Sequence, residues 1–563
     1  MCGSRCADLL FPEGLSMNIP RYGAVVLSAA VFATAGLGAW QQRWAWWWAL
    51  AALLLVLRGV YDMLQTRHSV LRAFPLLGHF RFLFESIRPE IRQYLVEGDT
   101  DAQPFSRLQR SLVYQRAKNE TDTRAFGSKL NVESQGHEWI AHSMAPTHLP
   151  THDFRVTIGA DRARPYSLSL FNVSAMSFGA LSANAIRALN LGARLGGFAH
   201  DTGEGALSPY HREHGGDIIW QIASGYFGCR QADGRFDPDK FAARARSEQV
   251  KMIEIKLSQG AKPGHGGMLP GSKVTAEIAL ARGVAEGQDC ISPATHGEFS
   301  SPLELLDFVE RLRALSGGKP VGIKLCVGQP WDFFGIVKAM LVTESLPDFI
   351  VVDGAEGGTG AAPVEFADHV GTPLQEGLLL VHNTLVGAGL RARIKIGASG
   401  KLITAFDMAR TLALGADWIN SARGFMFAIG CIQAQACNTG RCPTGIATQD
   451  PGRQRALVVP DKATRVASFH ANTLEAFKEL LQAAGLSSPS ELRAHHIVRR
   501  ISATEMQPLS ELLGYLEPGD LLRAQYRLPV FAAYWERARI DAFGLQVEAI
   551  APASLAGRLV ATQ

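Results

Sequence analysis

Three cysteines gathered in one short loop are the residues best placed to do unusual chemistry. The loop runs from Gly430 to Pro451, and its spacing is Cys431-x5-Cys437-x4-Cys442, with Pro443 directly after the last thiol. Glycine and asparagine between the cysteines permit the tight turns that would bring three sulfurs together. An odd number of clustered thiolates without a partner histidine suits an iron-sulfur cluster with three iron sites better than tetrahedral zinc, which takes four N or S ligands. Three reduced, purely structural thiols are the alternative reading of the same spacing.

A second set of reactive residues sits where short apolar runs end. Candidate strands span 169–175, 198–202, 218–223, 252–257, 321–325, 349–352, 394–396 and 418–420, each followed by a helix-like segment. Eight alternating units predict an α/β fold of the (β/α)8, or TIM-barrel, type, in which chemistry lies in the loops at the carboxyl ends of the strands. Those ends carry Asp201-Thr-Gly-Glu204, then Lys256-Leu-Ser-Gln259-Gly-Ala-Lys262-Pro-Gly-His265, then Lys324. Asp353-Gly-Ala-Glu356-Gly-Gly-Thr-Gly360 and Gly397-Ala-Ser399-Gly400-Lys401 follow. Glycine loops at late strands let backbone N–H groups approach a phosphate, so a flavin mononucleotide is the economical cofactor.

Several of these motifs, in this order, resemble the FMN-binding synthase domain of glutamate synthase. They are Ala175-Met176-Ser177-Phe178-Gly179-Ala180-Leu181-Ser182, the run from Lys256 through Gln259 and Lys262 to Pro270-Gly271, Glu356-Gly-Gly-Thr-Gly-Ala361, and Gly430-Cys431 through Ala447-Thr-Gln-Asp450. The resemblance covers roughly residues 165–485. It implies a TIM barrel carrying FMN and a [3Fe-4S] cluster, with Cys431, Cys437 and Cys442 as the cluster ligands. It also implies that Met176, Ser177, Gln259 and Lys324 lie along the flavin, and that Ser399, Gly400, Arg423 and Gly424 surround its phosphate. Glu204, Lys256, Gln259 and Lys262 would form the catalytic set facing a 2-oxo acid. A lysine near the flavin would stabilise the anionic reduced ring, and another would pair with a substrate carboxylate. The implied reaction reduces the imine of 2-oxoglutarate and ammonia, or runs the reverse oxidation of an amino acid.

This chain departs from that family at the pocket mouth, where His265 and Met268 replace the usual Glu and Gln, Glu356 replaces the commoner Asp, and Thr295-His296-Gly-Glu298 is a different polar set. His265 reads equally as a proton donor or a solvated loop histidine, while His200, His211, His214 and His296 read as structural or exposed. Two other functions fit the same parts: an amine-transfer subunit like that of methylglutamate synthase, or a membrane-tethered electron-transfer subunit without substrate chemistry.

The elements that must carry this site follow from composition. The chain has 563 residues, 47% hydrophobic and 19% charged, with a net charge of +4, too small to suggest a nucleic-acid partner. Its other cysteines (Cys2, Cys6, Cys229, Cys290 and Cys326) are scattered, unlike a secreted disulfide framework, so a reducing cytoplasm is expected. Cys2 reads as incidental, and Met17 is an alternative start.

Residues 22–40 and 44–57 form two apolar runs around Arg43, flanked by Trp40, Trp44, Trp46, Trp47 and Trp48, with Arg21 before them and Arg58, Arg67, Arg72 and Arg81 after. The second run reaches a bilayer's span only by extending toward Leu64. The pattern predicts a two-helix transmembrane hairpin with both ends cytoplasmic, in place of a cleaved signal peptide, and hence an inner-membrane protein whose catalytic domain faces the cytoplasm. A quinone or another membrane electron carrier would be its redox partner. The expected organisation is a hairpin anchor over 1–64, a connector and barrel cover over 65–160, the barrel with its cysteine loop over 161–485, and a helical extension over 486–563. In the connector, Pro75, Pro89 and Pro104 should break short helices, and Tyr114-Gln-Arg-Ala-Lys118 reads as basic and exposed, without chemistry. No amidotransferase or β-helix domain is expected.

Overall fold

A computed structural model describes residues 19–39, 45–101 and 103–546; Cys2, Cys6, Met17, Trp40, Arg43 and Trp44 lie outside them. The chain divides into two compact units, Met1–Gly98 and Asp99–Gln563, so the expected connector contributes to both.

In the first unit, α1 (Ile19–Ala39) packs against α2 (Ala45–Leu64). Of the described helices, α2 is long and apolar enough to cross a membrane by length and composition. The apolar stretch of α1, Tyr22–Gly38, is shorter. Trp46, Trp47 and Trp48 are exposed on α2. Asp62 is buried and held by His79 Nε2 at 2.8 Å and the Leu76 N–H at 3.1 Å. Two short helices follow, α3 (Ser69–Ala73) and α4 (Gly78–Ile91). Pro89, expected to break a helix, sits inside the last turn of α4, and a single π-turn over Arg92–Val96 absorbs it.

The second unit is built on a closed eight-stranded parallel barrel. Its strands are β1 (Phe171–Val173), β2 (His200–Asp201), β3 (Ile218–Ile222), β4 (Val250–Lys256), β5 (Val321–Leu325), β6 (Phe349–Asp353), β7 (Lys395–Ser399) and β8 (Trp418–Ser421). All eight coincide with the apolar runs expected to be strands. They read as continuous Val/Ile-rich runs because helices cover the outer face and side chains fill the inside. Two glycines make room for rings on neighbouring strands: a Cβ on Gly322 would lie 2.4 Å from the Phe349 ring, and one on Gly397 would lie 2.4 Å from Trp418. Residues paired across β4 and β5 include Glu254 with Gly322 and Lys256 with Lys324, which places those polar side chains at defined heights in the barrel.

An antiparallel hairpin, Arg155–Ile158 with Tyr166–Ser169, precedes β1. The helix Val459–Ala483 packs on α6 (Ala183–Gly196). Beyond it the chain differs from the expected run of helices. Ile497–Arg500 and Met506–Pro508 pair as strands, and the former takes Glu138–Ile140 as a third strand. Glu138 accepts from both Arg410 and Arg499, tying this small sheet to the barrel.

Several histidines are buried in this unit. His470 lies between Ser169 Oγ, 2.9 Å from its Nε2, and the Phe198 ring at 4.0 Å. Burial pushes His200 and His470 down to about 3 and His382 to about 4. Because their folded values lie below the ordinary imidazole value, the unfolded chain takes up protons that the folded chain refuses. Their contribution to stability is present above pH 6.5 and is lost as pH falls toward 4, by about 1.4 kcal/mol per histidine per pH unit. The urea midpoint of unfolding should therefore drop between pH 7 and pH 5; a midpoint constant over that range would contradict neutral buried histidines.

Candidate functional site

The carboxyl ends of the strands open onto a cavity of about 480 Å³, within the range of cofactor and substrate sites. Met176, Ser177, Glu204, Lys256, Gln259 and Lys262 line it, as do Lys324, Ser399, Gly400, Arg423 and Cys437. With Gln221 of β3 and Asp353 of β6, which also line it, residues from all eight strand ends are brought to one space. Gly424 does not line it; the residue packs below, where a Cβ would meet Ser421 Oγ at 2.6 Å.

Asp353, at the end of β6, organises one wall. Its Oδ2 accepts from the Gly260 N–H at 2.8 Å, and its Oδ1 accepts from Ser399 Oγ. The β4 loop can come this close only through glycine, since a Cβ on Gly260 would lie 2.0 Å from the Gly354 carbonyl oxygen. Lys324 Nζ stands 4.0 Å from Asp353 Oδ2 and makes no hydrogen bond among the described residues, although its side chain is 5% exposed. Burial disfavours its charge, but Asp353, Glu254 and Asp201 outweigh that and hold the ammonium's pKa above the ordinary lysine value.

The opposite wall carries an ion pair. Glu204 Oε2 lies 3.2 Å from Lys256 Nζ. Burial works against the Glu204 charge, yet Lys256, with Lys262 and Arg282, holds the carboxyl below the usual range. Lys262 is buried, pairs with no carboxylate and makes no side-chain hydrogen bond among the described residues; burial lowers its pKa. The turn that presents Glu204 needs Gly203 at φ +61°, where a Cβ would fall 2.9 Å from the Ser177 nitrogen. Glu204 and the Met176–Ser177 loop are therefore locked to each other.

Behind Lys256, His296 is half-buried with Nε2 2.9 Å from the Lys256 carbonyl and Nδ1 3.1 Å from Tyr226 Oη. Burial lowers its pKa to about 4, so the neutral ring donates to that carbonyl. His200 and His211 are also buried, each against the other's ring. The exposed His265 turns its Nδ1 to the Gly266 carbonyl at 2.7 Å and packs on Phe366. It is not among the residues of the cavity wall, so the proton-donor reading has no geometry behind it. Met268 does line the cavity.

The cysteine loop follows the helix Arg423–Ala428 after β8. Cys431, Cys437 and Cys442 are all free thiols, near enough that Cys437 and Cys442 act on the titration of Cys431; burial pushes Cys431 up to about 11. No three His, Cys, Asp or Glu side chains among the described residues converge as ligands of a single metal ion. Arg423 reaches from the cavity toward this loop, with Nη1 3.9 Å from Cys437 Sγ and Nη2 donating to the Thr359 carbonyl at 3.0 Å. Lys273 Nζ donates to the Cys437 carbonyl at 2.9 Å.

Two contributors escaped the sequence reading. Tyr114, expected to be exposed and without chemistry, lies on α5 (Arg107–Ala117) and donates to the Cys431 carbonyl at 2.6 Å, while Arg116 is buried and pairs with Asp122. Phe105 lines the cavity, and its carbonyl accepts from Gln433 Nε2 at 3.2 Å. The Ser106-x-x-Gln109 capping box that starts α5 was the signal that a fixed helix stood there.

Residues 128–487 match the family described as the conserved region in glutamate synthase. The chain is 40% identical over 483 residues to the glutamate synthase large subunit-like protein YerD of Bacillus subtilis (strain 168), covering 78% of this chain and 91% of that one. It is 38% identical over 352 residues to the archaeal glutamate synthase [NADPH] of Methanocaldococcus jannaschii, and 36% identical over 349 residues to the archaeal-type glutamate synthase [NADPH] of Thermotoga neapolitana. Each of these two matches spans 62% of this chain and 65% of the relative. The cavity at the mouth of the barrel and the cysteine loop beside it both lie in the matched region, apart from the wall contributed by Phe105, and the chain belongs to the glutamate synthase family of oxidoreductases.

Proposed function

We propose that the barrel is an FMN- and iron-sulfur-dependent oxidoreductase that reduces the imine of a 2-oxo acid, 2-oxoglutarate with ammonia, or runs the reverse oxidation of an amino acid. The observation that carries this reading is the pair of buried ammoniums on the cavity wall, Lys324 and Lys262, neither hydrogen-bonded by its own side chain among the described residues. Buried ammoniums without hydrogen-bond acceptors are costly, and acceptor atoms of a bound cofactor and of a substrate carboxylate would complete them.

The residues present fit both groups. Lys324 suits the electron-rich edge of a flavin, and Ser399, Gly400 and Arg423 suit its phosphate, with Met176, Ser177 and Gln259 on the remaining walls. For the cluster, three free thiols without histidine, lying close together yet not gathered on one point, suit a [3Fe-4S] centre, whose irons each take one thiolate, better than a single ion. When bound, FMN would supply hydride transfer to a substrate carbon and the cluster would supply single electrons. The chain's own groups do the rest. Lys262 binds a carboxylate of the substrate, Lys256 and Gln259 orient it, and Glu204, kept ionised by Lys256, takes or returns a proton at the substrate nitrogen. Arg423 stands between the cavity and Cys437 and fixes both.

The same reading takes α1 and α2 as an inner-membrane anchor, with the barrel on the cytoplasmic side and a quinone or a membrane electron carrier as redox partner. The apolar length of α2, its exposed tryptophans and the arginines after it support this. Carbonate-washed membranes should retain the full chain and release one that begins at Asp99.

Protein purified anaerobically should show flavin absorption and a cluster EPR signal, and Cys437→Ser should lose the cluster signal. Reduced flavin in the wild-type protein should be reoxidised by 2-oxoglutarate only when ammonia is present; reoxidation by neither, with both cofactors in place, would reject imine reduction. Lys262→Met removes a charge-assisted contact worth about 1.5–3 kcal/mol. Calorimetry should accordingly find 2-oxoglutarate binding weakened by roughly 10- to 150-fold, with the flavin spectrum unchanged.

A further inference from the structure

Below the cavity, inside the barrel, two carboxyl groups lie beside each other. Asp201 ends β2 and Glu254 lies on β4, and both are wholly buried. One oxygen of each is satisfied: Asp201 Oδ1 accepts from the Gly203 N–H at 2.9 Å, and Glu254 Oε1 accepts from Gln221 Nε2 at 2.6 Å. The other two oxygens, Asp201 Oδ2 and Glu254 Oε2, have no donor among the described residues. The two carboxyls nevertheless lie close enough that Glu254 acts on Asp201 through its charge and as a hydrogen-bonding neighbour. Two carboxylates are acceptors only, so a contact between them requires a proton. Like charges this close in a buried site cannot both ionise.

Lys324 supplies the second, independent observation. Its ammonium is buried, hydrogen-bonded to nothing among the described residues, and faces Asp201, Glu254 and Asp353 together. If all three carboxyls were ionised, one ammonium would stand against three negative charges. We infer that Asp201 and Glu254 share one proton and act as a single negative charge beneath Lys324, which makes them positioning residues that fix the charge on the cavity floor. The burial of Asp201, and then its proximity to Glu254, pushes its carboxyl well above the usual range, in agreement with a retained proton. Among the described residues, Lys324 is the titratable group that acts on the pair, and Gln221, on the intervening β3, is neutral.

This arrangement makes the pair insensitive to the loss of either member. In Asp201→Asn, Glu254 would carry the one charge; in Glu254→Gln, Asp201 would carry it. Only the double variant removes it. The flavin part of the test rests on the function proposed above, and the infrared part does not.

Full-length protein at pH 7, compared in H2O and D2O, should show a protonated-carboxyl stretching band that disappears in Asp201→Asn and also in Glu254→Gln. Persistence of that band in either variant overturns the shared proton. In dye-equilibrated redox titrations, the ratio of reduced to oxidised flavin at a fixed potential should change by less than about twofold in each single variant, and by about tenfold or more toward reduced in the double variant, as expected for removing one buried charge near an anionic ring. A tenfold change in a single variant would mean that both carboxyls are ionised, which also overturns the proposal. Should Asp201→Asn fail to fold, Glu254→Gln carries the test, since glutamine keeps the contact with Gln221. A chain without flavin whose band is still lost in both variants would sink the function proposed above and leave the shared proton standing.

Discussion

Keeping two buried ammonium groups charged is the constraint around which this barrel is arranged. A lysine taken out of water prefers to lose its proton, and only fixed negative charge nearby reverses that preference. Lys324 meets Asp353, Glu254 and Asp201, and keeps its charge. Lys262 meets Glu204, but burial and the neighbouring Lys256 outweigh it, and its pKa falls. The two sides of one cavity therefore hold their cations with different firmness. A cation that is firmly held suits a permanent resident, and one that is loosely held suits a ligand that arrives and leaves.

The carboxylates that do this work also hold the architecture. Asp353 joins the β4 loop to β7 through Gly260 and Ser399, so a change in its charge would be felt as a movement of the loop that carries Gln259 and Lys262. Glu204 is fixed by Gly203 against the backbone of Met176 and Ser177. Electrostatics and loop geometry are set by the same few groups, which leaves little freedom for substitutions that alter one without the other.

Much of this was legible in the sequence, because the barrel's strands are short apolar runs that end in charged or glycine-rich turns. All eight strands followed from that pattern, and the residues singled out at the strand ends line the cavity, while Gly424 packs against Ser421 instead. What escaped is long-range. Nothing local in Tyr114-Gln-Arg-Ala-Lys118 signals that its tyrosine meets a carbonyl far along the chain, because that contact depends on tertiary docking and not on periodicity. Asp201 and Glu254 were likewise invisible as a pair: each reads as a single acid in a different strand, and only barrel closure brings β2 and β4 to either side of Gln221. His265 left two readings open, and the structure favours the solvated one. Its type suggested chemistry, while the turn at Gly264–Gly266 points the ring to solvent and to Phe366.

The hydrogen bond from Tyr114 to the Cys431 carbonyl spans 317 positions of sequence, and Gln433 reaches back to Phe105 in the same way. The cysteine loop thus takes its final shape only after the whole barrel between these residues has closed and α5 has docked on it. On a ribosome, α5 emerges long before its partner and must wait. A cluster bound there, as proposed, would accordingly be inserted late in the life of the molecule, and a chain that has completed its loop has already passed an inspection of its own fold.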